Sequence, residues 1–109
     1  MKDEKKLISI LDCNKSIILT AKFKPNEIRT IHIGNINGYF NYFLINKGIF
    51  IYIGYSANLA QRLCSHKGGF EFDEIIVIKY KNKKSAFLYE KYYIKYFNPK
   101  HNFKYCKLL

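Results

Sequence analysis

The sequence predicts an α/β fold: a small, three-stranded, mostly antiparallel sheet flanked by helices and preceded by an N-terminal extension. Three observations carry that prediction. Two runs rich in β-branched and aromatic residues, Tyr39–Ile45 and Ile49–Gly54, are separated only by Asn46-Lys47-Gly48, a hairpin signature. Ile75-Ile76-Val77-Ile78 is a short, continuous apolar run of the kind that forms a strand covered on both faces. Helix-like stretches from about Asn58 to His66 and from about Lys84 to Phe97 follow the second and third strands, stopped by Gly68-Gly69 and by Pro99. The order is ββαβα, and helices packed on a sheet is the architecture that buries such elements.

Residues 1–37 form the extension and residues 38–109 the main domain. The extension holds two apolar stretches, Leu7–Leu11 and Ser16–Phe23, divided by Asp12-Cys13-Asn14-Lys15. A hairpin is expected, with a helix the alternative for this segment. Pro25-Asn26 and Gly34-Asn35 read as local turns. Strict alternation in the second strand of the main domain puts Ile49, Ile51 and Ile53 on one face and Phe50 and Tyr52 on the other.

At 109 residues the chain is one domain. It holds no apolar run long enough to cross a bilayer, and its charged start lacks a signal-peptide core, so an intracellular protein with no membrane partner is expected. Cys13, Cys64 and Cys106 lie far apart with no CxxC pair, which argues against a zinc site or a disulfide framework. The formal net charge is +11. From Lys79 to Lys107 there are nine lysines and a single acid, Glu90, interleaved with tyrosines. Such a surface suits a polyanion, and DNA is the expected partner, contacted by Lys67, Lys83, Lys84, Lys91, Lys95 and Lys100.

Within that basic field a few residues carry chemistry. Glu90 lies within about 60° of Ala86, Phe87, Tyr93, Ile94 and Phe97 around its helix, which predicts a carboxylate in the middle of an apolar stripe. A charge there costs several kcal/mol unless it is paired or binds a metal. Either a salt bridge or metal ligation answers that cost, and metal ligation is the preferred reading. Arg62, one of only two arginines, stands at the edge of the Leu59/Leu63 stripe, and planar bidentate contact with phosphate is a reason to use arginine where lysine is otherwise the rule. His66 lies one turn further on, as a helix-terminal residue or a site residue. Tyr52 reads alone as a packed aromatic and gains interest only from its neighbours.

These residues resemble the GIY-YIG nuclease superfamily. Tyr52-Ile53-Gly54 reproduces its YIG element, and Tyr55 through His66 resembles the small-residue turn and arginine-bearing helix that follow. Ser85 through Lys91 resembles its glutamate helix, and Asn98-Pro99-Lys100-His101-Asn102 its terminal element. The resemblance covers about Gly38 to Asn102 and implies a metal-dependent DNA endonuclease. It further implies that Glu90 holds one Mg²⁺ or Mn²⁺, Arg62 binds the scissile phosphate, Tyr52 positions or activates water, and Asn102 supports the site. The family's first motif ends in a tyrosine, whereas the corresponding stretch here is Gly38-Tyr39-Phe40. Tyr42, on the face of Phe40, and after it Tyr39, are the candidates for that hydroxyl. A nucleic-acid-binding protein that keeps the fold with weakened catalysis is the alternative. The sequence leaves the oligomeric state open.

Overall fold

The computed structural model describes residues 2–11, 16–30, 38–66 and 69–102. In chain order these form α1 (Lys2–Leu11), β1 (Ile17–Phe23), β2 (Tyr39–Asn46), β3 (Ile49–Ser56), α2 (Leu59–His66), β4 (Glu74–Tyr80) and α3 (Lys83–Phe97), with 3₁₀ turns at Pro25–Thr30 and Lys100–Asn102. The Lys47-Gly48 turn takes positive φ at both residues, 52° and 80°, as a tight two-residue hairpin requires. Asn82 caps α3 by accepting from the Ser85 N–H at 2.8 Å, and Asn98 ends it in the left-handed region just before Pro99.

The sheet has four strands in the order β1-β4-β2-β3, all antiparallel, so the expected three-stranded sheet gains a member. The addition is β1, which runs against β4 from Ile17↔Tyr80 to Phe23↔Ile75. The expected N-terminal hairpin is thereby corrected. Its first half is α1, whose Leu7 is buried among Phe43, Ile45 and Tyr93, and its second half is a lone strand. Leu7, Ile10 and Leu11 sit three to four residues apart and bring their side chains to one helical face, a spacing that defeats a strand there. The partner of β1 lies some sixty residues away, beyond the reach of local pattern.

Each face of the sheet carries its own core. Phe43, Ile45, Phe50, Ile53, Ile76, Ile78 and Tyr80 pack with Leu7, Ala86 and Tyr93 under α1 and α3. Phe40, Tyr42, Leu44, Ile51, Ile75 and Val77 pack with Leu59 and Leu63 under α2. Full burial of each large apolar side chain contributes about 1.5–3 kcal/mol, so the two cores together fix which face every strand residue takes.

The predicted alternation in β3 fails at one place. Leu44 pairs with Tyr52 but Ile45 pairs with Phe50, which leaves Ile51 as an extra residue in a β-bulge. Beyond the bulge the faces exchange. Phe50 joins Ile53 beneath α3, while Ile51 and Tyr52 both face α2, and Ile49 is exposed.

Candidate active site at the open edge of the sheet

β3 is an edge strand, so alternate backbone groups point away from the sheet and need partners. Ile53 finds both of its partners in one side chain: its N–H donates to Asn102 Oδ1 at 2.8 Å, and Asn102 Nδ2 donates to its carbonyl at 2.9 Å. Asn102 is buried and acts as a short surrogate strand. Two residues further along the same edge, the Tyr55 backbone hydrogen-bonds to the carboxylate of Glu90. α3 therefore reaches the strand edge from one face of the sheet.

Glu90 is half-buried. It does not occupy the middle of the apolar stripe, as the helical spacing had suggested. The fully buried residues of α3 are Ala86 and Tyr93, Phe87 is exposed, and Glu90 lies at the border between them. The spacing treated all apolar side chains as inward, whereas α3 leaves several of its large ones in solvent. Burial raises the Glu90 carboxyl above the ordinary carboxylate range, with the charge of Lys91 and the Tyr55 backbone opposing it. Among the described residues Glu90 has no ion-pair partner within 4 Å; the pairs found join Lys22 to Glu4 and Glu74.

The other face of β3 presents a polar-aromatic group. Tyr42 pairs with Gly54 across the β2–β3 ladder, and its ring lies over that glycine. Its hydroxyl and His66 Nε2 are 2.7 Å apart, the hydroxyl donating when that nitrogen is unprotonated. The Tyr52 ring lies 6.0 Å from Tyr42 and 5.0 Å from His66, and Phe70 stacks on His66 and on His101. Burial first, then Tyr52, pushes the Tyr42 phenol up, while the charge of Arg62 opposes the rise. Burial and then Arg62 lower His66 below its ordinary value, so its imidazole is neutral at neutral pH. Arg62 itself is exposed and lines a cleft of about 340 Å³ with Ser56, Asn58, Gln61 and Ser65.

The structure thus brings Tyr42, Tyr52, His66 and Arg62 together beside β3, and sets Glu90 and Asn102 against the edge of the same strand. Tyr39 is not part of this group. It sits at an odd position of β2, on the α3 face, and is exposed. Phe40 is buried beside Tyr42 on the α2 side and carries no hydroxyl to the group. Lys83, Lys84, Lys91, Lys95 and Lys100 are all exposed, and Lys67 lies outside the described residues. Cys64 is a free, exposed thiol.

The sequence reading missed Asn41. It is fully buried between β2 and α3, where its Nδ2 donates to the Ala86 carbonyl at 2.9 Å, one turn before Glu90. The signal was a polar residue within the apolar run Tyr39–Ile45. That bond ties β2 to the turn of α3 just before Glu90.

Among the described residues no three His, Cys, Asp or Glu side chains gather into a metal cage. One half-buried carboxylate still fits a hard divalent ion. Mg²⁺ keeps several waters and is commonly held by one or two carboxylates together with substrate phosphate. A cation would also oppose the desolvation that raises Glu90.

A four-stranded antiparallel sheet with α2 and α3 on opposite faces, meeting at the edge strand that bears Tyr52-Ile53-Gly54, is a GIY-YIG-like fold. The chain is similar to the GIY-YIG N-terminal endonuclease domain of UvrC from Thermotoga maritima, in a crystal structure of that domain bound to its catalytic divalent cation, magnesium. The identity is 31% and the TM-score 0.56, over 70% of this chain and 96% of that one. A point mutant of the same Thermotoga domain, bound to its catalytic divalent cation, matches at 31% identity and TM-score 0.55, over 68% of this chain and 92% of that one. No protein-family model and no curated protein matches the chain. The chain belongs to the GIY-YIG nuclease superfamily.

Proposed function

We propose that this protein is a metal-dependent DNA endonuclease that hydrolyses phosphodiester bonds, with Tyr42 as the first tyrosine of its site. The observation that carries the reading is the Tyr42–His66 contact of 2.7 Å beside Tyr52 and Arg62, on the strand whose edge takes Glu90.

Each residue has a task in this reading. Arg62, in the open cleft, clamps the phosphate through its planar guanidinium. Glu90 holds a divalent ion, Mg²⁺ or Mn²⁺, which when bound supplies positive charge to the phosphate oxygens. The attacking water gives a proton to the Tyr42 oxygen as the Tyr42 proton passes to His66 Nε2. A phenol pushed up in pKa is a poor source of free phenolate, so this concerted transfer is preferred to a standing anion. His66 can accept because burial and Arg62 keep it neutral. Tyr52 orients the Tyr42–His66 pair, and Asn102 holds the edge of β3 in place through both backbone groups of Ile53. The basic face of the chain, including Lys83, Lys84, Lys91, Lys95 and Lys100, draws in DNA, which for this reading is intracellular.

The test is nicking of supercoiled plasmid by pure protein with Mg²⁺ or Mn²⁺, beside EDTA and the Glu90→Ala and Tyr42→Phe variants. Metal-dependent nicking lost in both variants supports the proposal. Nicking that survives Glu90→Ala, or a wild-type protein that binds plasmid, flap and single-stranded DNA and cuts none of them, overturns it.

A further inference from the structure

The outward face of α3 carries lysines of the basic field, but its apolar side chains have no part in the site around Tyr42, His66, Arg62 and Glu90. We infer that it is a docking surface for an unpaired DNA strand, running away from the edge of the cleft. The inference rests on the nuclease reading only for the identity of the polyanion as DNA.

Four large apolar or aromatic side chains of α3 stand in solvent: Phe87 (40% exposed), Leu88 (61%), Tyr92 (46%) and Tyr96 (50%). Phe87 stacks on Tyr55 of β3, but packing of a short amphipathic helix on a sheet gives no reason for Leu88, Tyr92 and Tyr96 to be apolar there. Lys83, Lys84, Lys91 and Lys95, all exposed, flank them on the same face. At about 100° per residue, the order of these side chains around the helix from Glu90 is Lys83, Phe87, Lys91, Lys84, Lys95, Leu88, Tyr92 and then Tyr96. The surface therefore begins beside Glu90, the one acid of the helix, wraps over half of the helix circumference and spans about four turns from Lys83 to Tyr96.

Two occupants compete for such a face. A second copy of this chain meeting it through the same face would bury the apolar groups but would also press four lysines against four, with the half-buried Glu90 the one acid on each helix. A polyanion satisfies both features. Lysines follow its phosphates, and the aromatic rings take bases. Duplex DNA offers phosphates but keeps its bases stacked inside, so it would use only the lysines. An unpaired strand uses both. Tyr92 and Tyr96 already stack on one another at 6.0 Å, and Lys83 lies 5.5 Å above the Phe87 ring, which in turn stacks on Tyr55 at 4.3 Å. Tyr92 and Tyr96 are thus exposed aromatic planes held by each other before any base arrives, while Phe87 is already covered by Tyr55 and Lys83.

The experiment measures binding of fluorescein-labelled oligo(dT) and of a duplex of equal length by anisotropy across a salt series, without divalent metal. It compares wild type with a Tyr92→Ala/Tyr96→Ala double variant and its Tyr92→Phe/Tyr96→Phe counterpart. Loss of stacking predicts that the alanine pair weakens oligo(dT) binding by about tenfold and leaves duplex binding within about twofold, while the phenylalanine pair retains wild-type affinity. A Lys84→Gln/Lys91→Gln/Lys95→Gln variant should weaken both ligands and flatten the salt slope. Equal losses on oligo(dT) and duplex, or no loss on either, overturn the inference. So does sedimentation showing a wild-type dimer that the alanine pair dissociates, which would assign the face to a second copy. Plasmid nicking by the same variants separates the two claims. Nicking intact with oligo(dT) binding unchanged sinks only the docking surface, whereas selective loss of oligo(dT) binding in a protein that never cuts sinks only the nuclease reading.

Discussion

Gly54 is where the geometry of the site can be tested by stability alone. A Cβ added there would lie 2.8 Å from Cε1 of Tyr42 and closer still to the end of its ring, so the ring must move. Overpacking of this kind costs about 1–3 kcal/mol. Against it stands the entropic gain of replacing a strand glycine by alanine, about 0.5–1 kcal/mol. The expected balance for Gly54→Ala is a loss of about 0.5–2 kcal/mol, and a Tm lower by about 4–8 °C for each kcal/mol. The displaced hydroxyl also leaves His66, so nicking should fall with stability. A second background gives the decisive sign. In Tyr42→Leu the obstructing ring is gone, and Gly54→Ala should then be neutral or stabilising by about 0.5 kcal/mol. Urea denaturation of the four proteins in this cycle measures both effects. If Gly54→Ala costs the same in both backgrounds, Tyr42 does not lie over Gly54, and the Tyr42–His66 arrangement must be abandoned with it.

Other consequences follow from the same geometry. Tyr42→Phe should keep the fold and lose nicking by two orders of magnitude or more, about the contribution of a positioned acid–base group, whereas Tyr39→Phe should cut like wild type. Glu90 has its carboxyl raised by burial, so between the ordinary value of 4.5 and the raised one the native state holds more protons than the unfolded state. Its ionised form therefore costs stability at neutral pH, and Glu90→Gln should raise the Tm at pH 7.5, with the difference vanishing at pH 4; Mg²⁺ should stabilise wild type and leave the glutamine variant unmoved. His66 is lowered, so the rate should fall as pH drops through a value below the usual histidine range, and calorimetric or NMR titration that finds His66 protonated at neutral pH would contradict the proton path. Asn102→Ala strips both partners from Ile53 and should cost about 2–6 kcal/mol in urea denaturation, since each buried unmet group costs about 1–3 kcal/mol.

Local pattern made the hairpin, the two later helices and the apolar run of β4 legible, because each is set by residues adjacent in sequence. The YIG element, Arg62, Glu90 and Asn102 were legible as an ordered set of motifs. What escaped was what only long-range packing decides. β1 depends on a strand far along the chain. Asn41 reads as an oddity until α3 is laid across β2 and its amide meets the Ala86 carbonyl. The placement of Glu90 at a border, and not at the centre, follows from α3 being only shallowly buried, and helical angles carry no information about depth.

The bulge at Ile51 ties these failures to the site. In an unbroken strand Phe50 and Tyr52 share a face, so one of two requirements must fail. With both beneath α3, Phe50 would reach its contacts with Phe43 and Phe97 but Tyr52 would be lost to the core. With both beneath α2, Tyr52 would meet His66 but the α3 core would lose Phe50. One extra residue resolves the conflict: it lets the strand fill the core at Phe50 and still turn Tyr52 toward Tyr42 and His66. The register shift on an edge strand has only one ladder to disturb, which makes it cheap here and costly in β2 or β4. The same edge leaves the outward groups of Ile53 and Tyr55 for Asn102 and Glu90. The site therefore lies where the sheet ends because only there can one strand supply side chains to one face and backbone anchors to a helix on the other.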